Sequence, residues 1–207
     1  IGKDYVKEIH KTKDLTFSLL QFEQCFSQTN PNICDEMLNW VESGVNQMSE
    51  DVLELHCGLG TFTILLSKLF RKVLATENSR PSVKGLQKNL DLNKSTNVHF
   101  ARMSGQETFA ALNQERVFNR LSDIDLSSFK FSTIFLDPPR EGLDRKTIQN
   151  SSKFEHIIYI SCGFESFKRD LSYLKETHEI KRMAMFDQFP YTEHIESGAI
   201  LSRKAPD

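Results

Sequence analysis

From Asp51 onward the chain alternates short apolar runs with amphipathic segments. Asp51-Val-Leu-Glu-Leu55, Lys72-Val-Leu-Ala-Thr76, Asn97 to Phe100, Ser132-Thr-Ile-Phe-Leu136 and Ile157-Ile-Tyr-Ile160 read as short buried strands. Between the first two, Thr61 to Phe70 places Phe62, Leu65, Leu66 and Leu69 on one helical face. Pro81 opens a second helix that runs to about Asn93, and Gln106 to Leu112 forms a third. A polar insertion, Asn113 to Ser128, precedes the fourth strand, and Phe164 to about Leu174 is helical behind the fifth. His178 to Phe186 and Ser197 to Ser202 predict two last strands, close enough for an antiparallel hairpin. Strand–helix repetition with short loops implies helices on both faces of one sheet. The expected fold is α/β, doubly wound around a mainly parallel seven-stranded sheet, with a C-terminal antiparallel hairpin.

Upstream the pattern differs. Leu15 to Phe26 alternates loosely, as the tail of a β-rich unit cut off upstream would. Asn30 is a candidate N-cap and Pro31 suits the first helical position. Ile33, Met37, Leu38 and Val41 then keep helical spacing to about Val45. The expected division is 1–48 as that remnant with a linking helix, and 49–207 as the α/β domain.

Composition narrows the class. The 207 residues are 39% hydrophobic, enough for one good core and part of a second unit. The chain opens on Ile1, with neither a targeting core nor a membrane-length apolar run, so a truncated, soluble, cytoplasmic monomer is expected. Net charge is -2, unevenly spread: residues 1–50 hold four Lys/Arg against eight Asp/Glu, leaving 22 against 20 in the remainder. Any nucleic-acid binding must therefore come from local residues rather than a general basic surface. Four cysteines, at 25, 34, 57 and 162, form no CxxC pair, so neither metal nor an iron–sulfur cluster is expected and the thiols are reduced.

Chemistry concentrates at the strand ends. Glu54-x-x-x-Gly58-x-Gly60 follows the first strand and opens a helix, where glycine lets the backbone approach a ligand. Glu77, 17 residues past Gly60 at the tip of the second strand, is placed to accept hydrogen bonds from ribose hydroxyls. Dinucleotides and S-adenosylmethionine both fit such a site, but Thr63 stands where a third glycine would serve a pyrophosphate. The fourth strand ends in Asp137-Pro138-Pro139-Arg140, whose prolines stiffen the loop that carries Asp137. Cys162 lies between the fifth strand and a helix N-terminus, where the dipole favours a thiolate; the other reading is a small buried hydrophobe. Near the C-terminus, Glu193, His194 and Glu196 are candidate bases. Glu196 abuts an apolar strand, and burial there raises a carboxyl towards useful base strength. Phe189 and Tyr191 are candidates for stacking on a base.

The runs DVLELHCGLGTF, VLATENSRPSV, FNRL, IFLDPPREGLD, YISC and FDQFPYTEHIES occur in this order across nearly the whole chain. Together they resemble the bacterial tRNA (uracil-5-)-methyltransferase family. The resemblance implies a Rossmann-like catalytic domain that uses S-adenosylmethionine to make 5-methyluridine in the T loop of tRNA. It implies Cys162 as the nucleophile that adds to uracil C6 and Glu196 as the base that removes the C5 proton. Gln28, His56, Thr61, Glu77 and Asp137 match cofactor positions, beside Gly58 and Gly60, and Arg140 is a candidate RNA contact. The family usually has tyrosine and asparagine at the places of His56 and Thr61, and Ser-Cys-Asn-Pro where this chain reads Ser161-Cys-Gly-Phe164. Alternatives are a uridine C5 methyltransferase of ribosomal RNA, whose relatives carry an extra iron–sulfur domain, an N-methyltransferase using D-P-P-R, and a non-catalytic RNA-binding module. A fragment of this length is expected to bind cofactor and to handle tRNA weakly.

Overall fold

In the computed structural model, which describes residues 2–205 other than 46, 47 and 49, the chain begins with an antiparallel hairpin of β1 (Tyr5–Lys11) and β2 (Thr16–Phe22). The helix α1 (Pro31–Gly44) follows, and the Asn30 side chain accepts from the Ile33 N–H at its start. The expected division at 48/49 falls beside residue 49, outside the described residues.

Then come β3 (Asp51–Leu55), α2 (Thr61–Leu69), β4 (Val73–Glu77), α3 (Arg80–Asn93), β5 (Val98–Arg102) and α4 (Gly105–Leu112). The chain continues through β6 (Phe131–Leu136), α5 (Arg145–Ser151), β7 (His156–Ser161), α6 (Phe164–Leu174), β8 (His178–Phe186) and β9 (Glu196–Arg203). The strands form one seven-stranded sheet in the order β5-β4-β3-β6-β7-β9-β8. Strands β3 to β7 are parallel, with Leu53 beside Leu74 and Ile134. The C-terminal hairpin is antiparallel, as expected, but its second strand lies inside: β9 pairs antiparallel with both β7 and β8.

Period-two alternation sends successive strand residues to opposite cores. Phe135, Ile158, Ile160 and Ile200 pack towards α1 and α2, against Met37, Leu38, Val41 and Phe62. Leu53, Leu55, Leu136 and Tyr159 pack on the other face with Phe109, Ile148, Phe167 and Leu171. Each such side chain contributes about 1.5–3 kcal/mol on full burial. The N-terminal hairpin joins the first core through Phe17 and Leu19. Two asparagines of α3 bond its free edge: Asn89 Oδ1 accepts from Leu20 N at 2.7 Å, and Asn93 Nδ2 donates to Ser18 O at 2.7 Å.

Three elements differ from the sequence expectation. Strand β1 has no counterpart in the sequence reading, because pairing with β2 and one buried residue, His10, make it a strand rather than an apolar period. Helix α5 was not expected at all, since its buried face is mostly polar: Thr147, Asn150 and Ser151 flank Ile148. The insertion 113–128 holds two 3-10 turns, and its Phe118 and Leu121 close a small core with Ala101, Met103 and Ala111. It thereby covers residues of β5, an edge strand that would otherwise expose backbone for pairing.

Candidate active site

Strand order reverses at β3, so helices leave to opposite sides and a crevice opens beyond the carboxyl ends of β3, β4, β6 and β7. There a cavity of about 590 Å³ is lined by the turns after each of these strands, by Gln28 ahead of α1 and by Glu196 at the start of β9. The structure brings Gln28, His56, Gly58, Thr61, Glu77, Asp137, Arg140, Cys162 and Glu196 to one cavity. Gly60 is the exception. It is buried beneath the wall with φ of +91°, and a Cβ there would meet Leu86 Cδ1 at 2.5 Å, so it serves the turn rather than a ligand.

The β3–α2 turn is tight. His56, Gly58 and Gly60 all take positive φ, and for His56, at +61°, that conformation is uncommon and carries strain. The turn is held by Glu77: its Oε2 accepts from Gly58 N at 3.0 Å and its Oε1 from Ser79 N at 2.7 Å. Each oxygen keeps a lone-pair site for another donor. The nearby Gly58 has nothing within 4 Å of where a Cβ would sit. Burial pushes the His56 imidazole below its usual range, against the pull of Glu77 and Asp144.

The opposite wall is made of acids. Burial, reinforced by Glu196 and Glu77, holds the Asp137 carboxyl well above the usual carboxylate range. Burial raises Glu196 to about 7, opposed by Arg140. Glu54, within the otherwise apolar β3, is 1% exposed and pushed up to about 8 by burial, with Asp137 and Glu77 adding to the rise. Its Oε2 has no protein hydrogen-bond partner. Sequence reasoning used Glu54 only as the head of a glycine motif; its signal was an acid inside DVLEL.

The thiol runs against expectation. Cys162 faces the cavity, yet its pKa is raised: burial, then Glu196 and Asp137, outweigh Arg140, which lowers it. The position at the start of α6 therefore does not yield a standing thiolate. Cys34 and Cys57 are buried thiols, also held protonated by burial. Glu193 and His194 are exposed and do not line the cavity; neither does Tyr191, which is fully exposed, nor Phe189, which packs edge-on to His194. Gln188 was missed: buried at 2% exposure, it donates to Gln28 Oε1 at 2.6 Å and ties that loop to the chain ahead of β9.

The donor set suits a ligand with vicinal hydroxyls at Glu77 and a cationic group at the acidic floor, where the unpartnered Glu54 oxygen lies. Among the described residues no group of His, Cys, Asp and Glu could hold a metal ion, and no helix is long and apolar enough to cross a membrane.

The family model described as tRNA (Uracil-5-)-methyltransferase matches residues 1–204. A Teredinibacter turnerae protein named tRNA/tmRNA (uracil-C(5))-methyltransferase is 47% identical over 204 residues, covering 99% of this chain and 56% of its own length. A protein of the same name from Aliarcobacter butzleri is 48% identical over 207 residues, covering 100% and 55%. The chain thus spans about half the length of the curated relatives it matches. The crystal structure of Pyrococcus abyssi tRNA (uracil-54, C5)-methyltransferase, in complex with S-adenosyl-L-homocysteine, superposes with a TM-score of 0.75 at 25% identity, over 97% of this chain and 45% of that one. The crystal structure of M. jannaschii tRNA m1G37 methyltransferase shares the fold at a TM-score of 0.61 and 14% identity, over 100% of this chain and 59% of that one. With the whole described sheet and nearly every residue matched, the chain belongs to the tRNA (uracil-5-)-methyltransferase family.

Proposed function

We propose that this chain is the cofactor-binding and catalytic part of an S-adenosylmethionine-dependent methyltransferase acting on uracil C5 in tRNA, at a uridine of the T loop. The observation that carries the reading is that Cys162 and Glu196 face one cavity with Glu77 and the β3–α2 turn. Residues 49–207 form the catalytic unit in this proposal, and 1–48 supply the hairpin and Gln28 that close one side of it.

S-adenosylmethionine, when bound, supplies an electrophilic methyl group. Glu77 would hold its ribose hydroxyls, and the open space at Gly58 would leave room for the nucleoside. Glu54 and Asp137 offer carboxyl oxygens to the cationic end, whose charge favours their ionised forms. The target uridine is unstacked into the cleft, at a cost of a few kcal/mol, approximately.

Carbon C5 is a poor nucleophile until the pyrimidine is opened to addition. Cys162 loses its proton to solvent and Sγ bonds to C6; the C5=C6 electron pair moves into the enolate, and C5 takes the methyl that the bound sulfonium would give up, the S–CH3 electron pair staying on sulfur as the neutral thioether leaves. Glu196 then removes the C5 proton, and as the C6–S bond breaks the double bond returns and the thiolate leaves. A carboxyl near 7 is poised for that transfer at neutral pH. Arg140, the cation facing the thiol, favours the thiolate form in the addition step.

Release of tritium from RNA labelled at uridine C5, with cofactor and a T-arm substrate at saturating concentration, tests this directly. Release that depends on Cys162 is the expected result. RNA binding with no release would make the chain a binding module, and methyl transfer surviving Cys162→Ala would make nitrogen the acceptor.

A further inference from the structure

One helix grips the loop that carries Asp137 and Arg140, and it does so through the loop's backbone. The turn closes on itself with Gly142 N donating to Pro139 O at 2.8 Å. From α6, Ser166 Oγ donates to Arg140 O at 2.7 Å, and Arg169 Nη2 to Glu141 O at 2.9 Å and Leu143 O at 3.1 Å. Asp170, fully buried, accepts from Leu143 N at 2.8 Å. The same Asp170 oxygen accepts from the Tyr159 hydroxyl at 2.7 Å, three residues before Cys162 on β7.

Two glycines permit the approach. A Cβ at Gly142, where φ is +75°, would meet Asp170 Oδ2 at 2.5 Å and Ser166 Cβ at 2.8 Å. A Cβ at Gly163 would run into the Arg140 carbonyl oxygen and Ser166 Oγ, the latter at 2.6 Å. In this chain, then, the glycine following Cys162 is not merely a lost polar side chain; no side chain fits there while the loop sits so close. A buried carboxylate that accepts from three donors, the third being Arg169 Nε at 2.9 Å on the other Asp170 oxygen, beside three caught carbonyls, is more polar bonding than a solvent-facing turn needs for stability.

We propose that Ser166, Arg169 and Asp170 are positioning residues, a clasp that fixes the register between the Asp137–Leu143 loop and the helix behind Cys162 and thereby aims the Arg140 guanidinium at the thiol. The purpose rests on the function proposed above, but the test does not. The groups facing Cys162 are Glu196 from β9, Asp137 and Arg140 from the loop; only Arg140 favours the thiolate. Loosening the clasp removes that one favourable partner and leaves the two acids.

The test is the pH dependence of Cys162 alkylation by iodoacetamide, followed on the Cys162 peptide by mass spectrometry in the 207-residue protein. Arg169 is half exposed but pairs with the fully buried Asp170, so Arg169→Ala is read beside Ser166→Ala, which leaves that pair intact. Arg169→Ala is expected to raise the alkylation midpoint by about half a pH unit or more, with Arg169→Lys restoring part of the shift. Arg140→Ala should raise it as far, and Arg140→Ala/Arg169→Ala no further, because residues acting through one another are not additive. Ser166→Ala should reproduce the shift in smaller measure. A midpoint unmoved in both Arg169→Ala and Ser166→Ala, or a double variant showing the full sum of two shifts, overturns the clasp. Neither readout involves RNA or methyl transfer, so a failure to methylate uridine would remove the proposed function and leave this inference standing.

Discussion

The two walls of the cavity are built on opposite principles. On the β3–β4 side the decisive side chain, Glu77, is satisfied: two backbone N–H groups hold its carboxylate, and it in turn holds the turn. On the β6–β7–β9 side burial disfavours the charged forms of Asp137, Cys162 and Glu196, and Glu196 adds to the rise at the other two. A binding wall gains from groups that hydrogen bonds already hold in place, because affinity then depends on geometry. A reacting wall gains from groups near a change of state, because proton transfer is fastest between groups of similar pKa. The contrast predicts that substitutions on the two sides separate cleanly into binding and rate.

The largest effect belongs to the reacting wall. Cys162→Ala is expected to abolish tritium release, by at least about a thousandfold, since the step without covalent addition has no enolate. Cofactor affinity, measured by calorimetry, should stay within about threefold. A Cys162→Ala protein that lost cofactor binding would show that the walls are not separable.

Glu196→Gln comes next. General-base catalysis contributes about a hundred- to ten-thousandfold, so release should fall by that range while the addition step survives. A covalent protein–RNA adduct should then accumulate and be visible on a denaturing gel. In the unaltered protein the rate should rise with pH through about 7, as Glu196 loses its proton. An acidic limb near 7 that persists in Glu196→Gln would assign the titration elsewhere.

Glu77→Ala probes the binding wall. Losing a charge-assisted hydrogen bond costs about 1.5–3 kcal/mol, which corresponds to roughly ten- to a hundredfold in cofactor affinity. The alkylation profile of Cys162 should not move. If it did, the turn and the thiol would be one mechanical unit.

This separation was only half legible in the sequence. Period and punctuation revealed the seven-stranded sheet, because β7 carries an unbroken apolar run, β3 one interrupted by Glu54, and Asn30-Pro31 marks a helix start in local chemistry. Helix α5 escaped because tertiary contacts bury Thr147, Asn150 and Ser151, and periodicity of apolar residues cannot register polar burial. The site residues were legible as strand-end chemistry, but their electrostatics were not. A helix N-terminus predicted a thiolate at Cys162; what reverses the prediction is burial first, then two acids 34 and 25 positions away in the chain that meet it only in the fold. The α6 clasp was invisible for a related reason, since Ser166 and Arg169 bond backbone carbonyls, which no pattern of side chains announces.

Glu54 gives the smallest prediction and the one that crosses between the walls, since it lies in β3 yet is coupled to Asp137. Its folded pKa of about 8 stands above the ordinary value of 4.5, so between these pH values the native state holds a proton that the unfolded chain has released. Stability contributed by the protonated form is therefore present below pH 4.5 and is lost as pH rises towards 8. Glu54→Gln keeps the shape and removes the titration. Relative to the unaltered protein it should gain about 1–2 kcal/mol at pH 8, seen as a melting point higher by roughly 2–8 °C, and little at pH 5. The cost should appear in binding: an amide offers the cationic end of the cofactor no negative charge, so affinity should fall while stability rises. A variant that gained stability at pH 8 with unchanged cofactor affinity would make Glu54 a buried acid without a ligand to serve, and would return the acidic floor to the reacting wall alone.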